Sequence, residues 1–179
     1  KKCPLLRIIN AQSGGIENLI LSDLNSLEEL YLNNQKITAL NTSTLNNLKQ
    51  INISTNLLTQ LDFSKNLKLE RISCDRNKLT TLTLGDKPEL NELYSEVNNL
   101  TILDDLSNAK KLRLLNFSNN KLKTLDVSLN PLLQDIACAS NELEFLSLKN
   151  GLSGYFSFNF LQNPNLKFVC CDLDDEEAI

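Results

Sequence analysis

The sequence predicts a solenoid of about eight short coils, each about 21 residues long and built around parallel strands. Three observations predict this fold. A five-point apolar pattern recurs at a nearly fixed interval, a second and shorter apolar pattern follows each copy, and asparagine stands at a constant place between them. Self-similarity at a fixed period of roughly 20–50 residues is the sequence signature of stacked repeats.

The main pattern has the form L-x-x-L-x-L-x-x-N-x-L, and a clear copy is Leu48, Ile51, Ile53, Asn56 and Leu58. We count positions from the first residue of each copy, so that Ile51 is at position +3. Successive copies begin 21 residues apart, except for one step of 22 and a final step of 33. Coils 1 to 8 are therefore predicted to begin near residues 6, 27, 48, 69, 90, 112, 133 and 166.

A second apolar arm follows the main pattern in seven coils. Leucine stands thirteen residues after each of these coil starts, at Leu19, Leu40, Leu61, Leu82, Leu103, Leu125 and Leu146. Alternating apolar residues are typical of short strands, and the 3.6-residue period of a helix is missing. We therefore predict a right-handed solenoid with a parallel β-sheet on its concave face, a second short extended arm on the other side, and little or no α-helix.

An asparagine ladder is predicted at position +8, where the chain leaves the main strand. Its members are Asn56, Asn77, Asn98, Asn120 and Asn141, whereas coil 2 has Gln35 and coil 8 has Asp174. An amide side chain can both donate to and accept from backbone groups. Stacked asparagines would thus satisfy turn groups that burial leaves without water.

The five cysteines do not form the spacing of a disulfide framework. Cys74 and Cys138 occupy the inward position +5 and are predicted to be small apolar core residues. Cys171 is predicted to lie in the same inward column. A vicinal disulfide between Cys170 and Cys171 is the alternative.

These repeats resemble short bacterial leucine-rich repeats, whose unit is two nested L-x-x-L-x-L segments, often with cysteine at the third leucine. The resemblance is carried by Leu61–Leu79 (LDFSKNLKLERISCDRNKL) and Leu125–Leu143 (LDVSLNPLLQDIACASNEL), and by the closing segment Leu146–Asp172. Such repeats are common in secreted and surface proteins of Bacteroidetes-type bacteria. The resemblance therefore implies a secreted or cell-surface setting, although no signal peptide is visible in this chain.

The chain is predicted to be a single domain, residues 1–179, whose residues 150–179 form a C-terminal capping region. The long final step implies an insertion of about a dozen residues around 150–162, rich in glycine and aromatic residues. We interpret this insertion as a loop that covers the open apolar end of the column. A binding loop is the alternative.

The concave face is the predicted binding surface, and its side chains come from positions +2, +4 and +6. For coil 8 these positions are Phe168, Cys170 and Asp172. Tyrosine is favoured at interfaces, and both Tyr31 and Tyr94 lie in the central row. The predicted partner-binding residues are Tyr31, Asn52, Arg71, Asp75, Glu92, Tyr94, Glu96 and Asn116.

Metal binding and catalysis have little support in the sequence. Asp75 and Glu96 form a weak candidate pair for Ca²⁺ through oxygen ligands, and no cofactor is predicted. The chain has no histidine, which excludes a histidine general base, and it has no phosphate-binding or nucleophile-elbow motif. We predict no enzyme; a carboxylate-based hydrolase using Asp75 and Glu96 is a distant alternative.

The predicted function is an interaction module that binds an unknown protein or glycan. A structural spacer or stalk without a specific ligand is the alternative. The net charge of −4 argues against a nucleic-acid partner, which would select a basic surface. No apolar run is long enough to insert into a membrane, and we expect a monomer.

Overall fold

The computed structural model describes residue 3, residues 5–151 and residues 157–172. These residues form thirteen three-residue strands and no helix. The strands are β1 (Ile8–Asn10), β2 (Glu29–Tyr31), β3 (Gln50–Asn52), β4 (Gln60–Asp62), β5 (Arg71–Ser73), β6 (Thr81–Thr83), β7 (Glu92–Tyr94), β8 (Leu114–Asn116), β9 (Thr124–Asp126), β10 (Asp135–Ala137), β11 (Phe145–Ser147), β12 (Ser157–Asn159) and β13 (Phe168–Cys170).

The main sheet contains eight strands in the order β1-β2-β3-β5-β7-β8-β10-β12, and every neighbouring pair is parallel. The register joins equal positions of successive coils, for example Ile51 with Ile72 and Ile72 with Leu93. Each position of the repeat therefore forms a straight row of side chains across the sheet. The predicted parallel-sheet solenoid of about eight coils is confirmed.

The core is a column to which the first residue of each coil, positions +3, +5 and +10 and the second arm all contribute. From coil 2 to coil 7, the side chains at +3 are at most 3% exposed. At +5, Cys74 and Cys138 are buried as predicted, and burial raises the pKa of both thiols to about 12, so they are poor nucleophiles. Ser95 is also fully buried at this position, next to the much larger Phe117 of coil 6.

The second arms form two separate sheets, β4-β6 and β9-β11-β13. The break falls at coil 5, the coil that is 22 residues long. There Oδ2 of Asp104 accepts hydrogen bonds from the backbone nitrogens of Leu84 at 2.7 Å and Gly85 at 3.0 Å. A carboxylate thus takes the place of the missing strand at this junction.

The final coil differs from its predicted position. Strand β12 pairs with β10 in the main sheet, which places the start of coil 8 near residue 155, a step of 22, and not at residue 166. Strand β13 pairs with β11 in the second-arm sheet. The predicted places of Phe168, Cys170 and Asp172 on the face of the main sheet are therefore wrong, although Phe168 and Cys170 are exposed on the second arm. The dozen-residue insertion is wrong too.

The error has a physical cause in the residues that coil 8 places inward. Phe158 and Phe160 occupy positions +3 and +5, where earlier coils mostly have leucine or isoleucine, and both pack partly buried against the core. Phe160 stands where Cys171 was predicted.

Gly154, Tyr155 and Phe156 lie outside the described residues, so the capping role of residues 150–179 stays a prediction. Cys170 and Cys171 are free thiols, without the vicinal disulfide.

Each asparagine at position +8 joins two successive coils. Oδ1 of Asn56 accepts from the backbone nitrogen of Ile37 at 3.0 Å, and its Nδ2 donates to the carbonyls of Leu32 at 2.9 Å and Ile53 at 3.0 Å. The equivalent contacts recur at Asn77, Asn98, Asn120 and Asn141.

Two further residues extend this ladder beyond its five predicted members. Asn163 makes the same contacts in coil 8, in the place where the sequence pattern had Asp174. Gln35 replaces asparagine in coil 2, accepting from the backbone nitrogen of Ile16 and donating to the carbonyl of Ala11.

A second, shorter set of amides stands at position +18 of the opposite corner. Asn66 and Asn130 are at most 1% exposed and donate to backbone carbonyls of the preceding coil. In coil 4 the same position is Lys87, which is 1% exposed. Its Nζ donates to the carbonyls of Phe63, Leu84 and Asp86, and burial lowers its pKa to about 8.

Candidate functional site

Three of the predicted binding residues meet on the outer face of the main sheet, the face that carries positions +2, +4 and +6. Strands β5 and β7 are neighbours, which places Arg71 opposite Glu92 and next to Tyr94. Nη2 of Arg71 lies 2.8 Å from Oε2 of Glu92, and the guanidinium carbon lies 5.6 Å from the centre of the Tyr94 ring. The hydroxyl of Tyr94 donates to the same Oε2 at 3.0 Å. Burial and the Glu92 carboxylate raise the pKa of Tyr94, so it stays a neutral donor.

Tyr31 belongs to a separate cluster. Its hydroxyl lies 2.9 Å from Oε2 of Glu29 and 3.0 Å from Oε1 of Gln50. Three strand intervals separate β2 from β7, about 14 Å at the usual spacing of parallel strands. The predicted residues therefore form two centres on one sheet, and three of them lie in the Tyr94 centre.

Asp75 and Glu96 lie at the far end of the same two strands. Oδ1 of Asp75 accepts from the backbone nitrogen of Glu96 at 2.8 Å, and Oδ2 lies 3.4 Å from the hydroxyl of Ser54. Burial, with the nearby charge of Glu96, raises the pKa of Asp75. The described residues contain no group of three or more cysteine, aspartate and glutamate side chains that could share a metal ion. Two carboxylates alone fall short of the roughly six to eight oxygen ligands that Ca²⁺ takes.

Asn52 and Asn116 have a local structural task. Their Oδ1 atoms accept hydrogen bonds from the backbone nitrogens of Ser54 at 3.1 Å and Ser118 at 3.0 Å. Each side chain thereby holds the turn that follows its strand. Nδ2 of Asn116 also lies 3.4 Å from Oε2 of Glu96, which links it to the acidic residues of coil 5.

A first depression of about 390 Å³ runs along the edge of the outer face where the strands begin. It is lined by Gln50, Glu70, Arg71, Asn91, Glu92, Arg113, Leu114, Gln134 and Asp135. Four of these residues stand at position +1, which we did not include in the predicted surface. The sequence does carry a signal that this row is exposed, because position +1 is polar or charged in each of coils 1 to 7. The same row carries the Arg7–Glu28–Lys49 ion pairs, which lower the pKa of Glu28 to about 2.

A second depression of about 310 Å³ lies beside Tyr94. It is lined by Tyr94, Leu114, Leu115, Asn116, Asp135, Ile136, Ala137, Ser157 and Asn159. It shares Leu114 and Asp135 with the first depression, so the two adjoin. Asp75 and Glu96 line neither of them. Ser157 and Asn159 could not be found from the sequence, because the position predicted for coil 8 left them in a loop.

Comparisons with known proteins give distant structural likenesses. No family model matches the sequence, and no curated protein matches it. The functional domain of InlJ from Listeria monocytogenes, which includes a cysteine ladder, is 24% identical over 96% of this chain and 49% of that one, with a TM-score of 0.41. A leucine-rich-repeat protein from Leptospira interrogans is 16% identical over 84% of this chain and 62% of that one, with a TM-score of 0.32. The chain spans about half the length of the Listeria domain.

The fold class follows from the chain's own geometry. Eight parallel strands, a step of 21 or 22 residues and an asparagine at the same turn of most coils are present together. The chain is a leucine-rich-repeat solenoid. Among the described residues of this solenoid, none forms a helix suited to crossing a membrane.

Proposed function

We propose that this solenoid is a binding module and not an enzyme, and that a protein or glycan partner docks on the outer face of β5, β7, β8 and β10. The observation that carries the proposal is the position of Tyr94, held by Arg71 and Glu92 at the edge of a depression. Tyrosine and arginine are the residues most enriched, with tryptophan, where binding energy is concentrated.

Preorganisation of the site supports binding over a purely structural role. The ring of Tyr94 is fixed by the hydrogen bond to Glu92 and by the cation–π contact with Arg71. Side chains that are already ordered lose less conformational entropy when a partner docks. A spacer would have no use for a fixed aromatic side chain beside an open depression.

The setting that we propose is secreted or cell-surface, which rests on the resemblance to short bacterial leucine-rich repeats. The net charge of −4 favours a protein or glycan over nucleic acid. We expect the module to act as a monomer.

The proposal is tested with ligands selected without bias toward any face. The intact chain is screened against a random dodecapeptide display library and a glycan array, and the affinities of the best ligands are then measured for single variants. Tyr94→Ala should weaken binding about 30-fold, the loss typical of a central interface residue. Thr124→Ala, an exposed change on the second arm, is the control and should leave affinity unchanged. Ligands indifferent to Tyr94→Ala would place the binding surface elsewhere.

A further inference from the structure

The depression beside Tyr94 has the chemistry of a site for one particular kind of side chain. Resting on the proposed function, we infer that it receives the cationic side chain of a lysine or arginine presented by a protein partner. The inference rests on three features of the depression: an aromatic wall, a negative charge without a matching cation, and an apolar floor.

The aromatic wall is the ring of Tyr94. Arg71 approaches this ring from coil 4, on one side of coil 5, whereas the other residues that line the depression belong to coils 6, 7 and 8 on the opposite side of coil 5. Cations are attracted to the face of an aromatic ring within roughly 6 Å of its centre. Arg71 already uses this attraction on its own side, which leaves the second side for a cation from outside.

The lining of the depression carries one negative charge. Asp135 is the one ionisable carboxylate in its lining, and no lysine or arginine lines it. No ion pair joins Asp135 to a lysine or arginine in the part of the chain that the structure describes. Arg113 lines the adjoining depression. Oε2 of Glu96 lies 3.4 Å from Nδ2 of Asn116. A cation bound at this point would neutralise the charge of Asp135.

The floor suits the aliphatic stem of a long basic side chain. Ala137 stands in the row whose neighbours are Asn116 and Asn159, and its small side chain creates the space. Leu114 borders the same space and is partly exposed. Lysine and arginine bury their methylene groups on apolar surface while the charged end reaches polar partners. The oxygens of Asp135, Asn116 and Ser157 offer those partners.

The test uses the intact chain and small probes that isolate the charge. Nα-acetyl-arginine amide and Nα-acetyl-lysine amide are titrated against the Tyr94 ring and Ala137 methyl resonances. Nα-acetyl-citrulline amide, which has the shape of the arginine probe without its charge, is the matched comparison. We expect saturable shifts with both cationic probes. The affinity should be at least tenfold lower for the citrulline probe, and Asp135→Asn should lower the affinity for the cationic probes by at least the same factor. Asp126→Asn, an exposed carboxylate change on the second arm, should have no effect.

Several outcomes would overturn the inference. Equal shifts with citrulline would show that charge is not recognised, and absent shifts would show that the depression binds no such side chain. If a neutral glycan gives saturable shifts of the same resonances and the peptide library yields no ligand, the depression binds sugar.

Failure of this inference can be distinguished from failure of the proposed function. Selected ligands that need Tyr94 but lack lysine and arginine, and ignore Asp135→Asn, would refute the cationic site and leave the binding module standing. Cationic probes that shift Ala137, together with selected ligands indifferent to Tyr94→Ala, would support the site and refute the module as proposed.

Discussion

At the scale of single residues, one position of every coil adopts a left-handed backbone. Position +7 has φ between 53° and 60°, and its residues are Ser13, Asn34, Thr55, Arg76, Val97, Asn119, Ser140 and Gln162. This conformation suits asparagine and is costly for β-branched residues. The two asparagines at this position were the only sequence signal for it, because none of the eight coils has glycine there.

Val97 and Thr55 are the two β-branched residues of this column, and Val97 has φ of 55°. Val97→Asn should therefore raise the free energy of unfolding by about 1 kcal/mol, the usual cost of a left-handed L-residue. The reverse change, Asn34→Val, should lower it by a similar amount. Urea denaturation of the intact chain measures both, and a stability loss in Val97→Asn would contradict this account of the turn.

Lys87 gives a prediction with a defined pH dependence. Burial lowers its pKa to about 8 in the folded chain, below the value of about 10.4 expected when unfolded. Between these two values the unfolded state binds more protons, so wild-type stability rises with pH. The stability of wild type relative to Lys87→Asn should therefore increase by about 1–2 kcal/mol from pH 7 to pH 9.5.

Lys87→Asn is the appropriate reference because Asn66 and Asn130 occupy the same position in other coils. Comparison with this variant cancels the titration of all other groups. A difference that stays flat over this pH range would mean that the three carbonyls keep Lys87 protonated in the folded chain.

At the scale of elements, the strands and the asparagine ladder were predictable because each has a strict sequence signal. Alternation places +3 inward, and the amide at +8 recurs with the repeat. The final coil was mispredicted because Phe158 and Phe160 fill inward positions with aromatic side chains. The segment containing Leu166 matched the leucine pattern better, although its strand belongs to the second arm.

The ladder has a measurable weight in stability. Asn77→Leu leaves the backbone nitrogen of Leu58 and the carbonyls of Ile53 and Cys74 without their buried partner. The free energy of unfolding should fall by about 1–3 kcal/mol, the cost of unpaired buried polar groups. Asn46→Leu, at an exposed asparagine, should change it by less than about 0.5 kcal/mol. Equal denaturation midpoints for the two variants would refute a supporting role for the ladder.

At the scale of the whole molecule, the fold was predictable and the site only in part. The repeat register named the outward rows, and Arg71, Glu92 and Tyr94 do meet. The sequence could not show that Tyr31 lies in a second centre, because periodicity says which side chains share a face but not which ones touch. It also could not show the depressions, which depend on small residues such as Ala137 standing between larger neighbours.

The central claim is that the outer face of the main sheet is where this solenoid binds its partner. The most direct measurement is a chemical-shift map of the isotope-labelled chain, titrated with a peptide or glycan selected without bias. The account predicts that the largest shifts fall on Tyr94, Leu114, Ala137 and their neighbours in β7, β8 and β10. Shifts confined to the second-arm strands β6, β9 and β11 would contradict it.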